Sequence, residues 1–314
     1  MEARNLGNSG LRVSVVGLGC NNFGGRIDLQ ETRAVVHRAL DLGITLFDTA
    51  DSYGNRGGSE DCLGQVLGDR RKHIILATKF GMPMDEAKTL GGASRRYIMT
   101  AVEASLRRLR TDWIDLYQLH RPDALTPIEE TLRALDDLIR QGKVRYVGSS
   151  NCAGWQAVEA HWTAMHRNLD RFVSCQNEYS LLARDIEREL VPAMQACGLG
   201  LLPYFPLAGG LLTGKYRRDA PLPQGARFAR MQGLADRYLT PANWAVVERL
   251  EDFCARRGHG LLELAFGWLT ARPTVASVIA GATKPEQVEQ NVRAANWTLT
   301  VEDLAEIDRM TANP

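Results

Sequence analysis

Residues 46–54 read Leu46-Phe47-Asp48-Thr49-Ala50-Asp51-Ser52-Tyr53-Gly54. The stretch begins with apolar residues, as the end of a buried strand does, and then becomes polar before a glycine. We interpret Asp48 as the last residue of a strand and Tyr53 as part of the loop beyond it. Loops after strands carry function more often than packing, so this carboxylate and phenol are candidates for chemistry. Taken alone, the stretch is explained equally well by an Asp that caps the strand and a Tyr that packs on the loop. The residues at the later strand ends distinguish this structural explanation from a functional one.

The composition indicates a globular protein with a substantial core. Hydrophobic residues make up 45% of the 314 positions, and the net charge of +1 favours neither nucleic acid nor an anionic membrane as a partner. The six cysteines are scattered without a CxxC pair, which indicates reduced thiols in the cytoplasm. The N-terminus carries no apolar signal region, and no apolar run is long enough to span a bilayer. No linker divides the chain, so we expect one domain over residues 1–314.

Strand and helix patterns alternate along the chain. Residues 4–13 predict a β-hairpin around the turn Asn8-Ser9-Gly10. Strands are predicted at 13–18, 44–48, 74–79, 114–120, 144–149, 172–178, 199–204 and 275–280. Helices are predicted at 29–42, 60–67, 95–109, 128–140, 155–168, 186–197, 243–257, 261–270, 285–294 and 301–311.

This alternation predicts an α/β fold with a parallel sheet buried on both faces. About eight strands in about 300 residues favour a closed (β/α)8 TIM barrel over an open doubly wound sheet. The partial GxGxxG at residues 17–22 is not a dinucleotide fingerprint, because Asn22 occupies the third glycine position and the next helix starts only after Asp28. Two long loops, 80–94 and 208–241, are expected at the C-terminal rim as lids or clamps, or as plain surface excursions.

Polar side chains stand at the C-terminal ends of successive predicted strands. Asp48 with Tyr53, then Lys79, then His120 come from consecutive units, so a barrel would bring them together at one rim. A lysine neutralised by a carboxylate and a satisfied core histidine are the ordinary explanations of each residue alone. Four such residues at one rim favour a functional explanation, because burying charged groups costs free energy and is uncommon where the groups have no role.

This set of residues suits proton donation to a carbonyl oxygen. The phenol of Tyr53 would be the acid, the ammonium of Lys79 would lower its pKa, and Asp48 would hold Lys79. His120 would bind and align the carbonyl. There is no GxSxG, and no HxH or HExxH, so we expect neither an activated nucleophile nor a metal site; a metal-dependent barrel hydrolase is the strongest enzyme rival. Because these residues include no reductant, a bound cofactor must supply the hydride.

The later strand ends provide groups for such a cofactor. Ser150, Asn151 and Gln176 offer hydroxyl and amide partners for a carboxamide, and Tyr204 offers a ring for a flat heterocycle. The stretch 281–285 leads into a helix whose N-terminus favours phosphate, and Lys284 adds positive charge there. An ordinary helix start with a proline in its first turn explains that stretch as well.

Six segments resemble the aldo-keto reductases, in particular a bacterial branch similar to potassium-channel β-subunits. They are FDTADSYG at 47–54, SLRRLRTDWIDLYQLHRPD at 105–123, GSSN at 148–151, QNEY at 176–179, YFPLAGGLLTGKY at 204–216 and GATKPEQVEQN at 281–291. The resemblance covers nearly the whole chain and implies a (β/α)8 barrel that reduces aldehydes or ketones with NADPH. The implied catalytic tetrad is Asp48, Tyr53, Lys79 and His120.

The resemblance also implies the cofactor contacts. Its nicotinamide contacts fall on Ser150, Asn151, Gln176 and Tyr204. Its pyrophosphate clamp falls on Leu207, Gly209, Lys215 and Arg227, and its adenosine end on Gly281, Thr283, Gln287 and Asn291. Some members carry an Arg where Gln287 stands, to bind the 2′-phosphate. Here only Thr283 and Lys284 are near, so we expect NADPH, with NADH as the alternative.

Two further points stay open at the level of the sequence. A regulatory or redox-sensing subunit that binds the cofactor with little turnover is the rival from another functional class. The substrate is expected to be a small-molecule carbonyl compound, and Phe23, Met82 and Arg121 either line its pocket or pack the loops. The sequence does not indicate an oligomeric state.

Overall fold

A computed structural model describes residues 1–312. The chain opens with the predicted hairpin, whose strands β1 (Ala3–Asn5) and β2 (Arg12–Ser14) pair antiparallel. Leu6, Leu11 and Val13 are buried and share an apolar cluster with side chains of the barrel interior. The predicted hairpin is thus confirmed, and it closes the N-terminal end of the barrel.

Eight parallel strands form the barrel within the described residues. They are β3 (Val16–Gly19), β4 (Leu46–Asp48), β5 (Ile75–Phe80), β6 (Ile114–Leu119), β7 (Val144–Ser150), β8 (Phe172–Gln176), β9 (Gly200–Leu201) and β10 (Val278–Gly281). The order is β10-β3-β4-β5-β6-β7-β8-β9. A parallel bridge from Leu201 to Val275, just before β10, closes the circle. The predicted (β/α)8 barrel is confirmed.

Helices surround the strands and pack their apolar faces on the sheet. They are α1 (Leu29–Asp41), α2 (Tyr53–Leu67), α3 (Arg95–Leu109), α4 (Ile128–Arg140), α5 (Gly154–Arg167), α6 (Leu190–Cys197), α7 (Arg227–Arg230), α8 (Gln232–Tyr238), α9 (Pro241–Ala255), α10 (Leu261–Thr270), α11 (Pro285–Ala294) and α12 (Val301–Thr311). Side chains fix several helix starts; Asp28, for example, accepts from the Glu31 backbone while Glu31 accepts from the Asp28 backbone. Within the described residues, no helix has the length and apolar character needed to cross a bilayer.

The structure corrects several parts of the predicted pattern, among them one helix and one loop. The helix expected at 186–197 begins only at Leu190, after a separate 3-10 turn at Asp185–Glu187. Pro192 explains this, because proline is tolerated in the first turn of a helix but not in its interior. The loop at 208–241 contains a 3-10 segment, Ala208–Thr213, and the helices α7 and α8. Buried Phe228 anchors this segment to the core.

Candidate active site

A buried ion pair lies where β4 and β5 end. The Lys79 ammonium donates to Asp48 Oδ2 over 2.7 Å and to the Thr49 carbonyl over 2.9 Å, and the Lys79 side chain is fully buried. Burial lowers the pKa of Lys79, but the Asp48 carboxylate and the Tyr53 hydroxyl more than offset this, so the pKa is raised. Lys79 therefore carries its charge at neutral pH.

Two amides hold the other oxygen of Asp48. Gln176 Nε2 donates to Asp48 Oδ1 over 2.8 Å and Gln118 Nε2 over 3.2 Å. Gln118 is fully buried on β6, where it lies opposite Lys79 of β5, and sequence reasoning missed it. The available signal was a single amide inside an otherwise apolar strand end. Gln176 was expected at the cofactor, and its amide nitrogen is engaged with Asp48 in this structure.

Tyr53 starts α2 but is followed by an unusual backbone. Gly54, Asn55, Arg56 and Gly57 all have positive φ, so one left-handed turn separates Tyr53 from the regular part of the helix. A Cβ on Gly54 would lie 2.4 Å from the Phe23 carbonyl oxygen, so only glycine fits there. The turn sets the Tyr53 ring against Lys79, whose Nζ lies 5.1 Å from the ring centroid.

The acidity of Tyr53 differs from the sequence-based expectation. Burial raises the pKa of Tyr53, and the lowering by Lys79 does not fully compensate for it. Lys79 lowers the pKa of Tyr53, as predicted, but the prediction did not include the larger opposing effect of burial. Since the charge of the nearby Asp48 also raises this pKa, the ion pair as a whole lowers it less than an isolated ammonium would.

His120 completes the group beside Tyr53. The two rings make an edge contact with their centroids 5.6 Å apart and an interplanar angle of 82°. His120 Nδ1 is buried and has no hydrogen-bond partner among residues 1–312. Burial, followed by the charges of Lys79 and Arg121, lowers the pKa of His120 to about 3. The imidazole is therefore neutral at physiological pH and has one N–H to donate.

Hydrogen bonds connect the polar residues at the C-terminal ends of β7, β8 and β9. Tyr204 donates from its hydroxyl to Asn151 Oδ1 over 2.8 Å, and Asn151 Nδ2 donates to the His120 carbonyl over 2.9 Å. Ser150 Oγ donates to the Gln176 carbonyl over 2.7 Å. Asn151 has a left-handed backbone with φ of 58°, which asparagine tolerates better than most residues. These bonds fix the orientation of the Tyr204 ring beside the tetrad.

A groove of about 570 Å³ runs from this group across the C-terminal rim. Fifteen of the seventeen predicted site residues line it: Asp48, Tyr53, His120, Ser150, Asn151, Gln176, Tyr204, Leu207, Gly209, Lys215, Arg227, Gly281, Thr283, Gln287 and Asn291. Lys79 lies behind them. Lys284 is exposed and lies outside the lining, so the structure does not bring it to the groove. Of the candidate substrate contacts, Arg121 lines the groove, Phe23 is fully buried in the core, and Met82 lies outside the lining.

Four cations line the groove, Arg121 and three others, and none of them has an acidic partner in the described part of the chain. Arg26, Lys215 and Arg227 form no ion pair within the described part of the chain. Burial and the positive charges of neighbouring residues lower the pKa of all three side chains. Arg26, which the sequence analysis missed, also donates to the Gly225 carbonyl over 3.3 Å. Arg26 and Lys215 are exposed and Arg227 is half-buried. Cations that repel one another at the edge of a groove fit an anionic ligand such as a diphosphate, so the groove suits a dinucleotide.

A closed barrel with an ion pair, a phenol and a groove lined by unpaired cations at its C-terminal rim fits a dinucleotide-dependent oxidoreductase of the barrel class. The chain belongs to the Aldo/keto reductase family, whose model matches residues 15–312. It is an NAD(P)H-dependent oxidoreductase of that type, and carbonyl reduction is the chemistry of the family.

Three relatives illustrate the range of this similarity. A probable voltage-gated potassium channel subunit beta of Arabidopsis thaliana is 38% identical over 305 residues, covering 94% of this chain and 92% of the relative. The L-glyceraldehyde 3-phosphate reductase of Escherichia coli K12 is 35% identical, with 100% and 93% covered. The versiconal hemiacetal acetate reductase of Aspergillus parasiticus is 32% identical, with 97% and 95% covered.

Proposed function

We propose that this protein reduces small aldehydes or ketones to alcohols with NADPH, and that Tyr53 donates the proton. The observation that carries the proposal is the Lys79–Asp48 ion pair, which is packed against the Tyr53 ring at the mouth of an anion-binding groove. When bound, the cofactor supplies the hydride. The residues of the chain bind and orient both reactants and deliver the proton.

Lys79 controls the acid. Its ammonium has three N–H groups, of which Asp48 and the Thr49 carbonyl accept two, and the third is available to the Tyr53 oxygen. A donor at that oxygen stabilises the phenolate that remains after the proton has left. Asp48, fixed by Gln118 and Gln176, keeps the ammonium charged and oriented.

His120 orients the substrate. Because its imidazole is neutral, it donates one hydrogen bond to the carbonyl oxygen without placing a second cation beside Lys79. The edge contact with Tyr53 keeps the two rings at a fixed angle, so both donors can converge on one oxygen atom.

The remaining groove residues would hold the cofactor. Ser150, Asn151 and Gln176 with the Tyr204 ring would take the nicotinamide end, and Leu207, Gly209, Lys215 and Arg227 the diphosphate. Gly281, Thr283, Gln287 and Asn291 would take the adenosine end. The unpaired cations suit the diphosphate, which NADPH and the alternative, NADH, share. The choice of NADPH rests on the membership of the family, which typically uses it.

Two features support the assignment of one domain and of a cytoplasmic location. Strand β10 pairs with β3, so the barrel needs both ends of the chain, and we infer that residues 1–314 act as one domain. All six cysteines are unpaired, which supports a reducing compartment such as the cytoplasm.

A Tyr53→Phe variant tests the assignment of the acid. With a panel of small aldehydes and ketones, kcat should fall by about 10²–10⁴-fold, while the Kd for NADPH changes by less than about twofold. A Tyr146→Phe variant is the matched control, because Tyr146 lies beside Gly10 at the opposite end of the barrel. Full activity of Tyr53→Phe would contradict the proposed role.

The second candidate function is a regulatory or redox-sensing subunit. It is favoured by the 38% identity to a probable voltage-gated potassium channel subunit beta. Steady-state oxidation of NADPH separates the two functions: multiple turnovers with simple aldehydes support the reductase, whereas tight NADPH binding without turnover supports the sensor.

A further inference from the structure

Asp51 is a buried carboxyl group that the proposed mechanism does not use. Its side chain is 1% exposed and lies between the barrel wall and α3. Asp51 Oδ2 accepts a long hydrogen bond of 3.3 Å from the Tyr97 hydroxyl. Asp51 Oδ1 is buried and has no partner among the residues that the structure describes. An ionised carboxylate whose one side-chain donor is 3.3 Å away is costly to bury, so the site favours the neutral acid.

The surroundings of Asp51 offer no free cation. Glu60 of α2 faces it and is fully buried, bound by Thr78 Oγ1 at 2.5 Å and by Arg108 Nε at 2.7 Å. Arg108 is therefore already engaged with the Glu60 carboxylate. The remaining titratable groups nearby are the hydroxyls of Tyr97 on α3 and Tyr117 on β6, and the Tyr117 hydroxyl is itself buried without a partner in the described chain.

The electrostatic balance agrees with this geometry. Burial raises the pKa of Asp51 to about 7, with a further increase from the charge of Glu60. The Tyr97 hydrogen bond, the charge of Arg108 and a hydrogen bond from the Ser52 backbone only partly oppose these effects. Asp51 thus changes its charge close to neutrality, several pH units above an ordinary aspartic acid.

Asp51 is connected to Tyr53 through the backbone. The Asp51 amide donates to the Lys79 carbonyl over 3.0 Å, and the Tyr53 amide donates to the Ala50 carbonyl over 3.2 Å. The left-handed turn at 54–57 follows directly. A change at the Asp51 side chain therefore acts on the same short segment that positions the Tyr53 ring.

We propose that Asp51 is a positioning residue whose neutral form keeps residues 50–57 seated against α3 and β6, and whose ionisation loosens this segment and displaces Tyr53. The proposal rests on the proposed function in one respect, namely that Tyr53 is the proton donor. Its consequence is a loss of activity on the alkaline side that does not come from Tyr53 or His120.

The direction of the stability effect follows from the raised pKa. Between the unfolded value near 3.8 and the folded value of about 7, the folded state holds a proton that the unfolded state has released. The contribution of Asp51 to stability therefore falls as the pH rises through this window, and it stays low above about pH 7. Asp51→Asn, which mimics the neutral acid, removes this loss.

Hydrogen exchange followed by mass spectrometry measures the backbone protection of residues 50–57 directly. Asp51→Asn is the test variant, and Asp61→Asn, at an exposed position of α2, is the matched control. In the parent and in the control, protection of peptides covering residues 49–58 should fall about tenfold more between about pH 6 and pH 8.5 than intrinsic exchange chemistry explains. In Asp51→Asn this extra loss should vanish. The ratio of kcat/KM at about pH 6 to kcat/KM at about pH 8.5 should differ by at least about threefold between Asp51→Asn and the parent.

These readings separate failure of the proposal from failure of the proposed function. Exchange does not depend on turnover, so it tests the proposal even if Tyr53 is not the acid. Equal exchange profiles in parent and Asp51→Asn overturn the proposal, and so do equal kcat/KM ratios in an active enzyme. If Asp51→Asn does not fold, infrared difference spectra of the parent decide: loss of one buried protonated carboxyl band between about pH 6 and pH 8.5 supports the proposal, and no loss overturns it.

Discussion

The Lys79 ammonium and the Asp48 carboxylate meet at 2.7 Å with side chains that are 0% and 4% exposed. A buried ion pair adds little to the free energy of unfolding compared with apolar residues of the same shape. Removing one partner, however, leaves the other charge buried without compensation. The presence of this pair is therefore better explained by the proposed proton donation from Tyr53 than by a contribution to stability. This distinction can be measured.

Lys79→Met should destabilise the fold by roughly 3–5 kcal/mol, because Asp48 then keeps a buried charge with only amide donors. The double variant Lys79→Met, Asp48→Asn should recover at least about half of that loss, while both variants lose activity. Urea unfolding at neutral pH measures both values. If the double variant is no more stable than the single one, Asp48 does not carry an uncompensated charge, and our reading of the pair is wrong.

His120 should make the protein less stable in acid. Its folded pKa of about 3 lies below the unfolded value near 6.5, so between these values the unfolded chain binds a proton that the folded chain excludes. Stability should fall as the pH drops through this window, by roughly 3 kcal/mol near pH 4.5. Thermal unfolding of His120→Gln should lack this part of the loss. His73→Gln, at an exposed histidine, should behave like the parent, and identical pH profiles for all three proteins would contradict the prediction.

The barrel was predictable, and so was the meeting of Asp48, Tyr53, Lys79 and His120 at one rim, because the signals for both are local. Asp48, Lys79 and His120 each end an apolar strand pattern with a polar residue, and parallel strands bring such ends to one rim. Gln118 was not predictable in the same way, since its role depends on the register that sets it opposite Lys79. The strand predicted at 199–204 is reduced to Gly200–Leu201, and Pro203, which has no N–H to donate, helps to explain its early end.

The less predictable parts depend on tertiary contacts. Asn55 and Arg56 adopt positive φ where the turn passes close to the Phe23 segment. Asparagine tolerates that conformation, but no local propensity favours it for Arg56. The helices α7 and α8 lie in an Arg- and Gly-rich stretch that reads as a loop. They form around the buried ring of Phe228, whose partners, such as Tyr216, become neighbours only in the folded chain.

Gly54→Ala should disrupt the turn that carries Tyr53. The new methyl would meet the Phe23 carbonyl oxygen at 2.4 Å and the Ser59 amide at 2.5 Å, in addition to the strain of φ at 64°. We expect a loss of roughly 3 kcal/mol or more in urea unfolding and a fall in kcat. Gly142→Ala is the matched control, because φ is 74° and the site is open; it should cost only about 1 kcal/mol and leave kcat unchanged. Equal effects of the two substitutions would show that backbone strain alone, not the close approach, sets the requirement for glycine.

Arg227→Ala should weaken the binding of NADPH and NADH by the same factor, because the diphosphate is common to both. Loss of one charge-assisted contact corresponds to about 10–100-fold in Kd at low salt, with a smaller difference at high salt. Arg218→Ala, in the same loop but paired with Glu248 at the surface, is the control and should change Kd by less than about twofold. Lys284→Ala should also have little effect on NADPH, since Lys284 lies outside the groove. A selective loss of NADPH binding in Lys284→Ala would instead place the 2′-phosphate at the start of α11, as the resemblance first suggested, and fluorescence titration with both cofactors distinguishes these outcomes.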